Sequence, residues 1–215
     1  MAVLKAVGVR EDGKRTVLGV SVALGEQEVH WRTFLQSLVQ RGLRGVELII
    51  SDDHAGLRAA RQAVFGGIPW QRCQFHLQQN AQAYVPRKAM QTEVDERIRE
   101  IFNASSRGAA EQLLKAFVED YAEKAPHLAK WAEVNLPEGF TVFAFPKNHQ
   151  RRLRTSNVVE RLHREIRRRT RVVSIFPSEA SCLRLVSAVL MEQSEAWETG
   201  RVYLRFKEET ARPAP

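Results

Sequence analysis

The chain has 215 residues, 44% hydrophobic and 27% charged, the balance of a soluble globular protein rather than a disordered one. Its formal net charge of +8 falls entirely within residues 147–171, where ten basic residues face two acids, while the rest of the chain balances. No apolar run is long enough for a membrane span, no signal-peptide pattern opens the chain, and two cysteines, Cys73 and Cys182, are too few for a disulfide framework. The expectation is a cytoplasmic chain with free thiols, no membrane association and a polyanion as partner.

Residues 2–10 are apolar and β-branched, and Asp12-Gly13 is a strong hairpin signal. Residues 16–24 read as the return strand. Trp31, Phe34, Leu35, Leu38 and Val39 have helical spacing over 28–41, and Gly42 and Gly45 close that helix. Residues 46–50, VELII, read as a short buried strand. Ser51-Asp52-Asp53 then supply capping chemistry for a helix over about 54–64. Gly66 to Pro69 break the chain, and Trp70 to Cys73 read as a further short strand.

From residue 74 to 135 the pattern is mostly helical. Leu113, Leu114, Phe117, Val118 and Tyr121 form one amphipathic stripe, and Leu128, Trp131 and Val134 another. The apolar stretch 140–146 stops at Pro146. Thr155 or Ser156 opens a helix to about Arg169. Ser178-Glu179 caps a last helix with Leu183, Val186, Val189, Leu190 and Trp197 inward. The order of elements predicts an α/β domain interrupted by an all-helical insertion.

Three places can carry chemistry. Asp52 follows a strand and precedes a helix, the end of an α/β sheet where ligands bind. It is either a cap or a functional carboxylate, and Asp53 can cap in its place. Glu160 shares a helical stripe with Arg164, Arg167 and Arg171, while Val159, Leu162 and Ile166 form a separate apolar stripe. Glu160 is either an i,i+4 partner of Arg164 or a metal-binding acid among phosphate-binding cations. Cys73 and His76 form C-x2-H, half a zinc site at most. No second pair stands at metal spacing, so a structural zinc is not expected and a buried thiol beside a core histidine is the alternative.

On these residues the chain resembles the Mutator-like transposases of bacterial insertion sequences, of the DDE group with an RNase H-like fold. The matching pieces are AVGVREDGKRTVLGV (6–20), IISDDHAGL (49–57), WQRCQFHL (70–77) and RTSNVVERLHREIRRRTRVVSIFPSEASCLRLV (154–186). The resemblance implies a metal-dependent DNA strand cleavage and transfer enzyme using Mg²⁺ or Mn²⁺ in a two-metal site. Asp52 falls on the second catalytic aspartate and Glu160 on the catalytic glutamate, and both would be metal ligands. Cys73 and His76 fall on a signature near the active site. Asp53 stands where the family usually has a small residue. Beside this assignment, charge and helical position mark Arg154, Arg161, Arg164, Arg167, Arg168 and Arg171 as DNA contacts.

The resemblance also implies a departure. The first catalytic aspartate lies on the central first strand of the sheet, ahead of the piece matching residues 2–10. That strand and the third carboxylate are expected to be absent from this chain, leaving two inner sheet edges unpaired. Asp12 cannot substitute, because its turn lies at the opposite end of the sheet from Asp52. The expectation is a truncated transposase, inactive as given. The expected parts are 1–85, the front of the core; 86–146, the helical insertion; 147–199, the basic glutamate helix and a closing helix; and 200–215, a tail that frays after about Tyr203. The expected partners are transposon-end and target DNA, with homo-oligomers or mixed oligomers with intact transposase. The alternative is a non-catalytic DNA-binding remnant that interferes with an intact enzyme. A further reading, another RNase H-like nuclease such as a resolvase, is disfavoured by the TSNVVER block.

Overall fold

The computed structural model describes residues 2–173 and 176–206, so most of the expected tail lies outside the described residues. The chain is mixed α/β. Its elements are β1 (Ala2–Val9), β2 (Arg15–Ala23), α1 (Glu28–Gln40), β3 (Ile49–Ser51), α2 (Ala55–Phe65), β4 (Trp70–Arg72), α3 (Gln74–Ala81), α4 (Gln91–Phe102), α5 (Arg107–Tyr121), α6 (Pro126–Asn135), α7 (Lys147–Leu153), α8 (Asn157–Thr170) and α9 (Glu179–Thr199). Two compact units are woven from this order. One draws on the described residues within Met1–Gly45, His54–Gly67 and Asn157–Pro215, the other on Val46–Asp53 and Ile68–Ser156.

In the first unit, β1 and β2 pair antiparallel from Ala2–Ala23 to Val9–Arg15, with an irregularity between Ala6 and Val7. Gly13 takes φ 77° at the turn, and Asp12 accepts the Lys14 N–H at 2.9 Å. The hairpin is apolar along its length because both faces are covered. Val3, Val7, Val17, Val20 and Val22 pack with Leu162 and Ile166 of α8 and Val186, Val189, Leu190 and Trp197 of α9. Leu4 and Ala23 pack with Phe34 and Leu38 of α1. Ser178 opens α9 in a reciprocal cap with Ser181, at 3.2 and 3.3 Å.

Some inward expectations shift by a position. Val39 and Leu183 are exposed, and Val158 joins Leu162 and Ile166 in their cluster. Helical periodicity predicts an arc, and the neighbouring element decides which edge of that arc is covered.

In the second unit, β3 and β4 pair parallel, Ile49–Trp70 to Ser51–Arg72. The short strand is three residues long and half-buried, not a fully buried run over 46–50. Its ladder has one partner among the described residues, so its faces are less enclosed than in a wide sheet. The core of this unit is helical: Leu77 of α3, Val94, Ile98 and Phe102 of α4, Leu114, Phe117 and Tyr121 of α5, and Leu128 and Ala132 of α6. Val134 is exposed, and Ala129 and Ala132 are buried beside Leu128 on α6. The stretch 140–146 forms a short 3-10 turn at Thr141–Ala144. Fully buried Gln71 ties that turn to β4, accepting the Val142 N–H at 2.7 Å and donating to the Gly139 carbonyl at 2.9 Å.

Candidate functional site

Asp52 stands just past the C-terminal end of β3, at the end of a parallel strand pair where α/β proteins place ligands. It does not cap α2. That helix begins at Ala55 with His54 in the cap position and no side-chain cap bond. Both aspartates have charged partners instead. Asp53 lies 3.3 Å from the guanidinium of Arg72, which is itself buried and also reaches Glu138 at 2.8 Å and Asn135 at 2.9 Å. Asp52 meets His76, with Nδ1 2.5 Å from Oδ1, and accepts the Ser156 hydroxyl at 3.3 Å. A charged partner in a partly dry site outweighs the roughly 1 kcal/mol of an exposed cap.

Cys73 and His76 reach the same place from the start of α3. Cys73 occupies the cap position and His76 lies three residues on, so both side chains share a helix face. The Cys73 N–H donates to the Ser51 carbonyl at 2.9 Å, fixing α3 against the end of β3. The Cys73 thiol is fully buried and accepts the Ser156 N–H at 3.4 Å. Burial pushes that thiol up, but hydrogen bonds from His76 and Ser156 outweigh it and hold the thiol below its ordinary value. Hydrogen bonds to Asp52 and Cys73 raise His76 to about 10 against the effect of burial, so its imidazole is protonated at neutral pH. His76 is therefore no core histidine: its side chain keeps 20% exposure, and Asp52 keeps 45%.

Ser156 and Arg72 belong to this group although neither stands out in a search for catalytic residues. Ser156 lies 104 positions from Asp52 and 83 from Cys73. The only signal for it is its place in the TSNVVER block. Arg72 carries no sequence signal beyond its place in the short strand expected over Trp70 to Cys73.

Glu160 and the basic stripe lie on α8, in the other compact unit. Leu162 and Ile166 anchor the inner face of α8. Glu160 is half-buried, and Arg161, Arg164, Arg167, Arg168 and Arg171 are exposed. Arg161, Arg164 and Arg171 make no ion pair among the described residues. Arg168 is committed to Glu165 through two hydrogen bonds of 2.9 and 2.7 Å. Hydrogen bonds from Arg168 and Arg169 hold Glu165 down at about 2. Burial holds His163 below its ordinary value, and Lys5 and Arg167 add to this. Arg154 lies in the second unit, half-buried, and donates to Asn103 at 2.5 Å. Among the described residues no helix is long and apolar enough to cross a membrane.

A family model described as "Transposase, Mutator family" matches residues 1–200. The chain is 58% identical over 205 residues to the transposase for insertion sequence element IS406 of Burkholderia multivorans, covering 95% of this chain and 53% of that protein. It is 41% identical over 205 residues to the transposase for ISRM5 of Rhizobium meliloti, covering 95% and 51%. It is 36% identical over 205 residues to the transposase for IS256 in transposon Tn4001 of Staphylococcus aureus, covering 94% and 52%. The chain spans about half the length of these curated relatives. A match that runs through nearly the whole chain, and takes in Asp52, Cys73, His76 and Glu160, settles the family: the chain belongs to the Mutator family of transposases.

Proposed function

We propose that this chain carries an RNase H-like catalytic region for insertion-sequence transposition, in which Asp52 and Glu160 serve metal-dependent DNA cleavage and strand transfer. The observation that carries this reading is the family match together with the position of Asp52, at the end of a parallel strand pair with its carboxylate about half exposed. The order of hairpin, helix and parallel strand pair along the chain supports the RNase H-like reading. Residues 86–146 serve as the helical insertion.

The exposed carboxylate of Asp52 is a suitable hard-oxygen donor for Mg²⁺ or Mn²⁺, and Glu160 is the second. A divalent cation held there supplies Lewis-acid activation of a phosphodiester. The residues of the chain do the rest. His76 and Ser156 hold one oxygen of Asp52 in place, and exposed Arg161, Arg164 and Arg167 hold DNA phosphates. DNA is the partner because the net charge of the chain is cationic and falls within residues 147–171, the segment that contains the helix of Glu160.

The test is an in-vitro cleavage assay on a transposon-end duplex with Mg²⁺ or Mn²⁺. In a full-length transposase carrying this sequence, Asp52→Ala and Glu160→Ala should each abolish cleavage while DNA binding persists. Cleavage retained by either variant refutes its assignment. A second reading is a DNA-binding protein that does not cut and that interferes through mixed oligomers. It is favoured by the engagement of Asp52 with His76 and Ser156. Suppression of an intact transposase's cleavage when the 215-residue chain is added selects it, and unchanged cleavage refutes it.

A further inference from the structure

Among the described residues, one set of side chains combines sulfur, nitrogen and oxygen donors at one point. The thiol of Cys73, the imidazole of His76 and a carboxylate oxygen of Asp52 lie within 4.8 Å of one another. Ligands of a single tetrahedral zinc ion, bound at about 2.0–2.3 Å, stand roughly 3.3–3.7 Å apart. The three donors are therefore already gathered to within about 1.5 Å of that spacing.

We propose that Cys73, His76 and Asp52 form a zinc-class site, with three protein ligands and a fourth position open to solvent on the exposed side of Asp52. The donor set decides the class of ion. A thiolate selects zinc and its soft neighbours, whereas Mg²⁺ takes oxygen ligands in an octahedron. The backbone supports the site on three sides. Cys73 is fixed to the end of β3 by its N–H bond to Ser51, and His76 follows one helical turn later. Ser156 donates its N–H to the Cys73 sulfur and its hydroxyl to Asp52, contacts that orient metal ligands from outside the coordination sphere. The sulfur is fully buried while Asp52 is about half exposed, so an ion enters from the carboxylate side. On binding it displaces the protons carried by the thiol and the imidazole. One oxygen of Asp52 is used, and the other stays available to solvent or to a hard cation. The C-x2-H pair by itself lacks a third ligand in sequence, and Asp52 supplies it across 21 and 24 positions of chain.

The inference does not rest on the catalytic reading of Asp52, because it concerns binding by the isolated chain without DNA. The experiment is a titration of the reduced, chelator-treated 215-residue chain with Co²⁺, followed by absorption spectroscopy. One equivalent should produce thiolate-to-cobalt charge transfer and the intense visible bands of a tetrahedral ion. Zn²⁺ should remove both stoichiometrically, and a large excess of Mg²⁺ should not. Cys73→Ser should lose the charge-transfer band, and Cys182→Ser should keep it. Asp52→Asn, at a partly exposed position that spares the core, should weaken Co²⁺ binding at least tenfold. No band at one equivalent in the wild-type chain overturns the proposal and leaves a Cys–His–Asp hydrogen-bonded chain. A band that survives Cys73→Ser, or one displaced by Mg²⁺, overturns it as well. A failed cleavage assay leaves all of these outcomes unchanged.

Discussion

Gly13 shows how much one residue can settle. It takes φ 77°, and a Cβ there would sit 1.8 Å from the Leu204 carbonyl oxygen. Its own carbonyl accepts the N–H groups of Tyr203 and Leu204 at 2.7 and 3.0 Å. The segment after α9 is thereby laid across the hairpin turn. Arg15 secures it, with its guanidinium 4.6 Å from the Trp197 ring and 4.9 Å from the Tyr203 ring. Gly13→Ala should cost about 1–3 kcal/mol, from the left-handed backbone and the displaced strap together. A thermal melt checks this, and an unchanged midpoint would show that the strap is not docked at the turn. The Asp12-Gly13 signal foretells the turn, but nothing in the local sequence foretells Leu204 as its neighbour. Asp52 teaches the same lesson from the other side. Its place after a strand is legible, yet its partners His76 and Ser156 are not, because capping and ion pairing compete and the tertiary neighbours decide.

Helix α8 is the element read most fully from sequence. Two stripes at 100° per residue separate its apolar side from its arginines, and Leu162 and Ile166 are buried while Arg161, Arg164 and Arg167 are exposed. Equal charge does not mean equal availability. Arg168 and Arg169 are drawn to Glu165, and Arg169 also reaches Glu192 of α9 at 3.4 Å. Arg161→Ala combined with Arg164→Ala should therefore weaken DNA binding and lower the slope of log K against log salt by roughly 2, near one unit per lost phosphate contact. Arg168→Ala should change the slope less. Binding measured across a salt series decides, and an unchanged slope in the double variant removes this face from the DNA interface. The strands were harder to read than this helix. VELII predicts a strand over 46–50 and the strand forms over Ile49–Ser51, because strand length is set by the partner, and β4 offers only Trp70–Arg72.

At the scale of the whole molecule, the chain forms two compact units with separate cores, one on the hairpin with α8 and α9 and one on the helices α3 to α6. The helical core includes one polar tie: the buried Tyr121 hydroxyl donates to Glu93 at 2.9 Å, joining α5 to α4. Burial, with Glu93 beside it, raises Tyr121 from 10.0 to about 12. A raised value favours the neutral phenol in the folded state, so its stabilisation is complete below pH 10 and is lost as the pH climbs toward 12. Tyr121→Phe should flatten that alkaline arm of stability, as read from urea midpoints between about pH 9 and 11. An arm of equal steepness in both proteins would assign it to other groups. Sequence alone determined the hairpin, the helical periods, the concentration of charge within residues 147–171 and, through extended blocks of resemblance, the family. Those are local or linear properties, written in neighbouring residues and in their order. The resemblance sets Cys73 and His76 near Asp52, and only the tertiary structure decided which of their atoms meet and that Ser156 joins them. Side chains separated by up to 104 positions meet there because a strand end, a helix start and the approach to α8 are packed together. No period or spacing in the chain encodes that meeting, since it depends on how already formed elements bury their apolar faces.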